Sequence, residues 1–364
     1  MIPSGHLIRI PYGLLWRESA RRRRSPPVVF YCGESHDWAV FDPIRRFLPP
    51  VPVVAKNRSV QRELRDAGVD ASLWPSYPGA VIMARHALHR FPLREIVKIG
   101  LRHGAYHFKQ FIRPERYNAF DLFVFTSEHE VRRAREHGIR SGVAGGFPKL
   151  DPLFQPDAGE TAADVGRKLG LVRDRPTVLV TATWDRSGMS AIDRWCDRLH
   201  ALTTRYNTMV TVHPATSRRL VAAVERQPGV HFIRETRMWP YLLLADVMVG
   251  DTSSILAEFC ALDKPIITFR IAGGRARRMP EEIVALLGRI STPIDSFDEL
   301  EPAIERSLAY PGLHSESRRQ ANALMFDVLD GNHGRRTAAH ILDILSRRGI
   351  PASAGSDGRG TLTA

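Results

Sequence analysis

At 364 residues the chain exceeds what one hydrophobic core sustains, and 43% apolar content is that of a folded protein, so two globular domains are expected and wholesale disorder is excluded. Lys plus Arg number 52 against 39 Asp plus Glu, a formal charge of +13 that favours anionic partners without choosing among them. No apolar run approaches the roughly 20 residues a membrane span needs, and neither a signal-peptide core nor a nucleic-acid-binding signature is visible, so a cytoplasmic protein without a nucleic-acid partner is expected.

The chain begins with a basic segment, 1–27, in which Leu14, Leu15 and Trp16 stand beside Arg17 and the run Arg21 to Arg24. Two readings stay open: a solvated basic face ahead of the first strand, or a segment lying at an anionic membrane surface, where each basic group contributes about 1 kcal/mol. From residue 28 onward short apolar runs alternate with helical patterns. VVFYCG (28–33), VPVVA (51–55), AVIMA (80–84), EIVKIGL (95–101), DLFVFTS (121–127) and GVAGG (142–146) read as strands, with helices around 38–48, 58–67 and 128–137. The alternation implies a mostly parallel sheet covered on both faces, an N-terminal domain over 28–155.

The polar stretch QPDAGETAAD (155–164) breaks the rhythm and marks the boundary to a C-terminal domain over 156–349, followed by a flexible tail, 350–364. TVLVTAT (177–183), TMVTVHP (208–214) and VHFIRE (230–235) read as strands, with helices near 190–204 and 217–226. ADVMVGDTSSILAEFCALDKPIITF (245–269) then reads as strand, polar turn, helix and strand. Asp251 or Thr252 can cap that helix. Its free N–H groups, its dipole and the hydroxyls of Thr252, Ser253 and Ser254 suit a phosphate-sized anion, although plain capping gives the same cluster without a ligand. The loop RIAGGRARRMP (270–280) is equally an anion clamp or a solvated basic turn. Helices near 297–309, 315–328 and 335–347 complete the chain. Cys32, Cys196 and Cys260, odd in number and set among apolar residues, read as reduced packing residues, with no metal cluster.

Two successive doubly wound domains place ligands in the cleft between them, outside the C-terminal strand ends. His103 and Gly104 follow the strand over 95–101, and His213 and Pro214 end the strand over 208–214. An imidazole at the first place can take a proton near neutral pH, with glycine permitting close approach of a phosphate or sugar; one at the second can donate to a phosphate oxygen. Either histidine taken alone is as readily a polar surface or cap residue. Joined with Thr252, Ser253 and Ser254, all at strand ends of two facing domains, they form a candidate site.

These motifs resemble the CDP-glycerol glycerophosphotransferase family, the teichoic-acid polymerases and primases, over about residues 95–336. The matching elements, in order, are His103–Gly104, GFPKLDPL (146–153), TATWDR (181–186), His213–Pro214, the block Asp251, Ser253, Ser254, Glu258, and Asp330–Gly331 followed by Arg335. The resemblance implies an α/β protein of the GT-B fold, two facing doubly wound parallel-sheet domains with an inter-domain cleft. It implies a membrane-associated cytoplasmic enzyme that transfers a polyol phosphate from a CDP-alcohol to a lipid-linked or polymeric hydroxyl acceptor and releases CMP, with no cofactor and no metal. His103 would be the base, His213 the acid or phosphate contact, and Gly104, Asp251, Thr252, Ser253 and Ser254 would line the pyrophosphate. Glu258 would meet the ribose, and Lys109, Lys149, Arg270 and Arg335 are further anion contacts. AYHF before Lys109, where the family commonly has Thr-Pro and a lysine, and the Arg-rich 270–280 loop depart from the pattern. Two rivals are another GT-B enzyme using a UDP-sugar, whose D-S-G-G helix has glycines where Ser253 and Ser254 stand, and a non-catalytic GT-B scaffold binding an anionic polymer or membrane.

Overall fold

The structure, a computed structural model, describes residues 5–22, 27–105, 111–271 and 279–352. Its first half is built on β1 (Val28–Cys32), β2 (Val53–Ala55), β3 (Ser72–Leu73), β4 (Ala80–Met83), β5 (Val97–Leu101), β6 (Leu122–Phe125) and β7 (Gly142–Ala144). The second half carries β8 (Thr177–Ala182), β9 (Asn207–Val212), β10 (Val230–Phe232), β11 (Val247–Gly250), β12 (Ile266–Phe269) and β13 (Thr292–Ile294). Every pairing is parallel, in the orders β3-β2-β1-β4-β5-β6-β7 and β10-β9-β8-β11-β12-β13. In both sheets the order reverses beside the first strand, and a parallel doubly wound sheet opens its ligand crevice at that switch point. Central strands such as VVFYC and TVLVTA are buried along their whole length because helices cover both faces.

The first half has α1 (Gly5–Arg21), α2 (Trp38–Arg45), α3 (Arg58–Asp66), α4 (Pro114–Asn118) and α5 (Glu128–Glu136). The second has α6 (Ala158–Leu169), α7 (Arg218–Glu225), α8 (Trp239–Leu244), α9 (Ile255–Cys260), α10 (Glu281–Ile290), α11 (Leu300–Ala309), α12 (Ser315–Phe326) and α13 (His333–Arg347). The last two helices turn back toward the first half, α12 against α5 and α13 against α2. One apolar core therefore runs through the junction, from Phe30 and Phe41 through Phe147 and Leu150 to Trp239, Phe259, Phe326 and Ile341.

Within 155–164, between the strands of the two sheets, α6 starts, and its small face of Ala158, Ala162 and Gly166 is buried. The segment 190–204 is not one α-helix but short 3-10 turns, Ile192–Arg194 and Leu199–Leu202. The cause is a side chain in the ladder. Gln227 Nε2 donates to the Cys196 carbonyl (2.7 Å) and its Oε1 accepts from His200 N–H (3.0 Å), the two groups that an α-helix would bond to each other.

Candidate active site

On the first half, three strand ends converge. Beyond β1, Asp37 turns its carboxylate onto the N–H groups of Gly33 (2.9 Å) and Glu34 (3.1 Å) and onto Arg85 Nε (2.9 Å) beyond β4. Arg85 also meets Glu34 at 2.7 Å, so its guanidinium is held from two sides. Beyond β5 comes His103, still open to solvent on its cleft side. Protein packed around the remaining ring, then the guanidinium groups of Arg102 and Arg85, lower its pKa to about 3. The Ala84 backbone acts in the opposite sense and offsets part of the shift. A neutral imidazole has one N–H and one lone pair, so this ring can take up a proton.

On the second half, β11 runs into Asp251 and α9. Asp251 is 2% exposed, and its carboxylate accepts from the N–H groups of Thr183 (2.9 Å), Ala191 (3.0 Å) and Thr252 (2.5 Å). It knots the loops at the β8/β11 switch point, and its reading as a phosphate contact gives way to that role. Burial pushes its carboxyl upward while those N–H bonds oppose the shift. The Thr252 hydroxyl is likewise committed, to the Met189 carbonyl at 3.1 Å. Ser253 and Ser254 remain half-buried at the start of α9. Ser254 closes on the opposite half: a Cβ placed on Gly104 would stand 3.1 Å from its Oγ. The structure thus brings His103–Gly104 and the serine pair to one seam.

The stretch 146–153 makes that seam rigid. Gly146 has φ +84°, and a Cβ there would lie 2.0 Å from the His333 ring, so only glycine fits. Asp151 caps α13 by accepting from His333 N–H (3.0 Å) and Gly334 N–H (2.7 Å). Lys149 Nζ meets Glu258 Oε1 on α9 at 2.9 Å. Glu258 is 4% exposed, so its first partner is this lysine, and the pair ties the first half to the serine helix. Sequence reasoning named both residues but not the pairing, because a separation of 109 positions carries no local signal.

Residues 87–343 match the family model described as CDP-glycerol:poly(glycerophosphate) glycerophosphotransferase. The chain belongs to that family. A teichoic acid poly(glycerol phosphate) polymerase from Bacillus spizizenii is 19% identical over 160 residues, which is 42% of this chain and 39% of that relative's length. The wall teichoic acid polymerase TagF, in a structure soaked with CDPG, superposes with a TM-score of 0.70 at 12% identity over 94% of this chain and 99% of that one. A UDP-GlcNAc 2-epimerase from Neisseria meningitidis bound to UDP-GlcNAc gives 0.56 at 12% identity, over 88% of this chain and 99% of that one. The architecture is GT-B, two parallel α/β domains as in TagF.

His213 is exposed just past β9, where its Nδ1 accepts the Ala215 N–H at 3.1 Å. In the neutral ring that bond leaves the proton on Nε2. The loop is tied to TATWDR by Ser217 N–H donating to Asp185 at 3.1 Å. Arg270 is engaged with Asp295 beside β13, and Arg335 stands 5.0 Å over the Phe47 ring on the α13–α2 seam. Lys109 and the arginines at 275, 277 and 278 lie outside the described residues, as do Arg23, Arg24 and the tail beyond 352. Among the described residues no three His, Cys, Asp or Glu side chains converge as a metal site, and no helix is long and apolar enough to cross a membrane.

Proposed function

We propose that this protein moves a polyol phosphate, glycerol phosphate or a close relative, from a CDP-alcohol to a hydroxyl acceptor in the synthesis of a cell-surface polymer. The observation that carries the reading is the contact of Gly104 with Ser254, which sets a neutral, lone-pair-bearing His103 beside the helix start that suits a pyrophosphate. Family membership supplies the substrate class.

In this reading the pyrophosphate lies at Ser253, Ser254 and the first turn of α9, where hydroxyls and the helix dipole favour negative charge. His103 accepts the acceptor's O–H proton as that oxygen forms a bond to the phosphorus bearing the polyol. The phosphorus–oxygen bond to CMP breaks, the electron pair leaves on CMP, and the Nε2–H of His213 meets the charge that develops there. Phosphoryl transfer requires alignment and charge stabilisation more than covalent catalysis, which matches a site of fixed donors and one base. Glu258, with Lys149 on one oxygen, keeps its other oxygen for the ribose.

The acceptor is lipid-linked or polymeric, and the enzyme works at the inner face of the cell membrane. Supporting this, α1 packs on the first half through Tyr12, which donates to the Ser76 carbonyl at 2.5 Å, and Trp16, which donates to Pro78 at 2.9 Å. Its outward side exposes Ile10 (73%), Leu14 (62%) and Leu15 (52%) beside Arg17 and Arg21, a composition suited to anionic lipid.

Incubation with CDP-glycerol, CDP-ribitol and UDP-GlcNAc in the presence of a polyol-phosphate acceptor tests the reading. CMP release with acceptor extension is expected. UDP release alone would assign the chain to the UDP-sugar branch of the fold.

A further inference from the structure

Between the apolar strand β5 and His103 stands Arg102, a guanidinium only 8% exposed. Burying such a group is costly unless it is paired, and its partner is Glu130, fully buried, with Oε1 3.4 Å from Arg102 Nε. The second carboxylate oxygen accepts from Thr126 N–H and Oγ1, both at 3.0 Å. Glu130 lies on α5, whose cap Ser127 gives its hydroxyl to the Leu324 carbonyl of α12 at 2.7 Å. On the other side of α12, Asn322 Nδ2 donates to the Cys260 carbonyl at the end of α9, 2.9 Å away. Polar contacts thus tie Glu130's helix to α12, and α12 to the end of the helix that presents Ser253 and Ser254.

A buried ion pair seldom stabilises a fold more than apolar residues of the same shape, so its presence beside this imidazole asks for another cause. We infer that the Arg102–Glu130 pair is a positioning device for His103: it locks the loop that carries the imidazole against Ser254 and sets a permanent positive charge beside the ring. The inference rests on the role of base proposed for His103. Two anionic substrates entering the cleft would draw a proton onto the ring and disable it. Arg102 from its own strand and Arg85 from β4 oppose that proton, with His86 acting in the same sense. The nearby carboxylates do not undo this, because Glu34 and Asp37 are engaged by Arg85 and Glu130 by Arg102. The Ala84 backbone acts on the ring in the opposite sense, and Ser254 closes on the neighbouring Gly104.

The double variant Arg102→Met/Glu130→Gln removes both charges at similar volume and leaves no buried charge uncompensated, so it folds. His103 protonation is followed in the full chain by NMR of 13C-labelled histidine, its signal assigned by absence in His103→Gln, and kcat/KM for CDP-glycerol is measured against pH. The ring's titration midpoint is expected to rise by about one pH unit or more. The acid limb of kcat/KM should rise with it, while KM for CDP-glycerol stays within about twofold. A midpoint and acid limb that coincide with the parent's overturn the proposal. The NMR midpoint needs no turnover, so a parent that releases no CMP from any CDP-alcohol defeats the transferase reading while the positioning of His103 is still decided.

Discussion

His103 and His213 occupy equivalent places, each just past a strand of a doubly wound sheet, yet their surroundings differ in every respect that matters to a proton. Burial and the guanidinium groups of Arg102 and Arg85 disfavour the protonated form of His103. His213 is exposed and accepts from the Ala215 N–H, which in the neutral ring puts the proton on Nε2. The same side chain is therefore kept from protonation by its surroundings in one half and has its proton placed by a backbone bond in the other. Neither a strand register nor a motif conveys this distinction, because it depends on loops that close around each ring.

The comparison breaks most sharply at the histidines. His103→Asn removes the proposed base, and kcat is expected to fall by about 10²- to 10⁴-fold with the Kd for CDP-glycerol little changed. His213→Asn removes a donor to the leaving phosphate, so the loss, about 10²- to 10³-fold, should come with weaker CDP-glycerol binding. Steady-state kinetics together with calorimetric titration separate the two patterns. If both variants lost donor affinity equally, the assignment of one acceptor and one donor would fall.

A smaller effect concerns the tie between the halves. Lys149→Met leaves Glu258, with 6% of its side chain exposed, buried without a counter-charge, at a cost of about 3 kcal/mol. Adding Glu258→Gln should restore most of the thermal stability. With Glu258 also on the ribose, the double variant would keep a KM for CDP-glycerol raised about tenfold, since a hydrogen bond to a charged group contributes about 1.5–3 kcal/mol. Full recovery of both Tm and KM would reduce Glu258 to a structural strut.

Much of this arrangement was legible in the sequence, for identifiable reasons. Buried parallel strands are short unbroken apolar runs and most were readable as such; β3 (Ser72–Leu73) has only two residues, and β13 (Thr292–Ile294) is broken by Pro293. The helix α1 hides behind Pro11 and an arginine-rich end. Motif residues such as His103, Ser254, Lys149 and Asp151 could be named because their order along the chain is distinctive. Their partnerships could not, because Lys149–Glu258, Asp151–His333 and Arg102–Glu130 each join segments distant in sequence. Gln227, which prevents a helix over 190–204, acts from outside any window that a helical period would test.

The electrostatic setting of His103 also bears on stability, and the sign follows from the direction of its shift. A histidine that titrates near 6.5 in the unfolded chain and at about 3 when folded binds protons more readily unfolded throughout that interval. Its contribution to folding stability is therefore full above about pH 6.5 and is lost progressively as pH falls toward 3. Solvent on the cleft side of the ring screens part of this, so the effect should be the smallest of the three. His86, lowered to about 4 by burial, adds a parallel loss over much of the same range. In chemical denaturation between pH 7 and pH 4, His103→Asn should lose less stability than the parent, even though it is the variant with the greatest loss of activity. Parallel curves would mean that His103 is no more disfavoured as a cation than in the unfolded chain, and the contrast with His213 would then rest on hydrogen bonding alone.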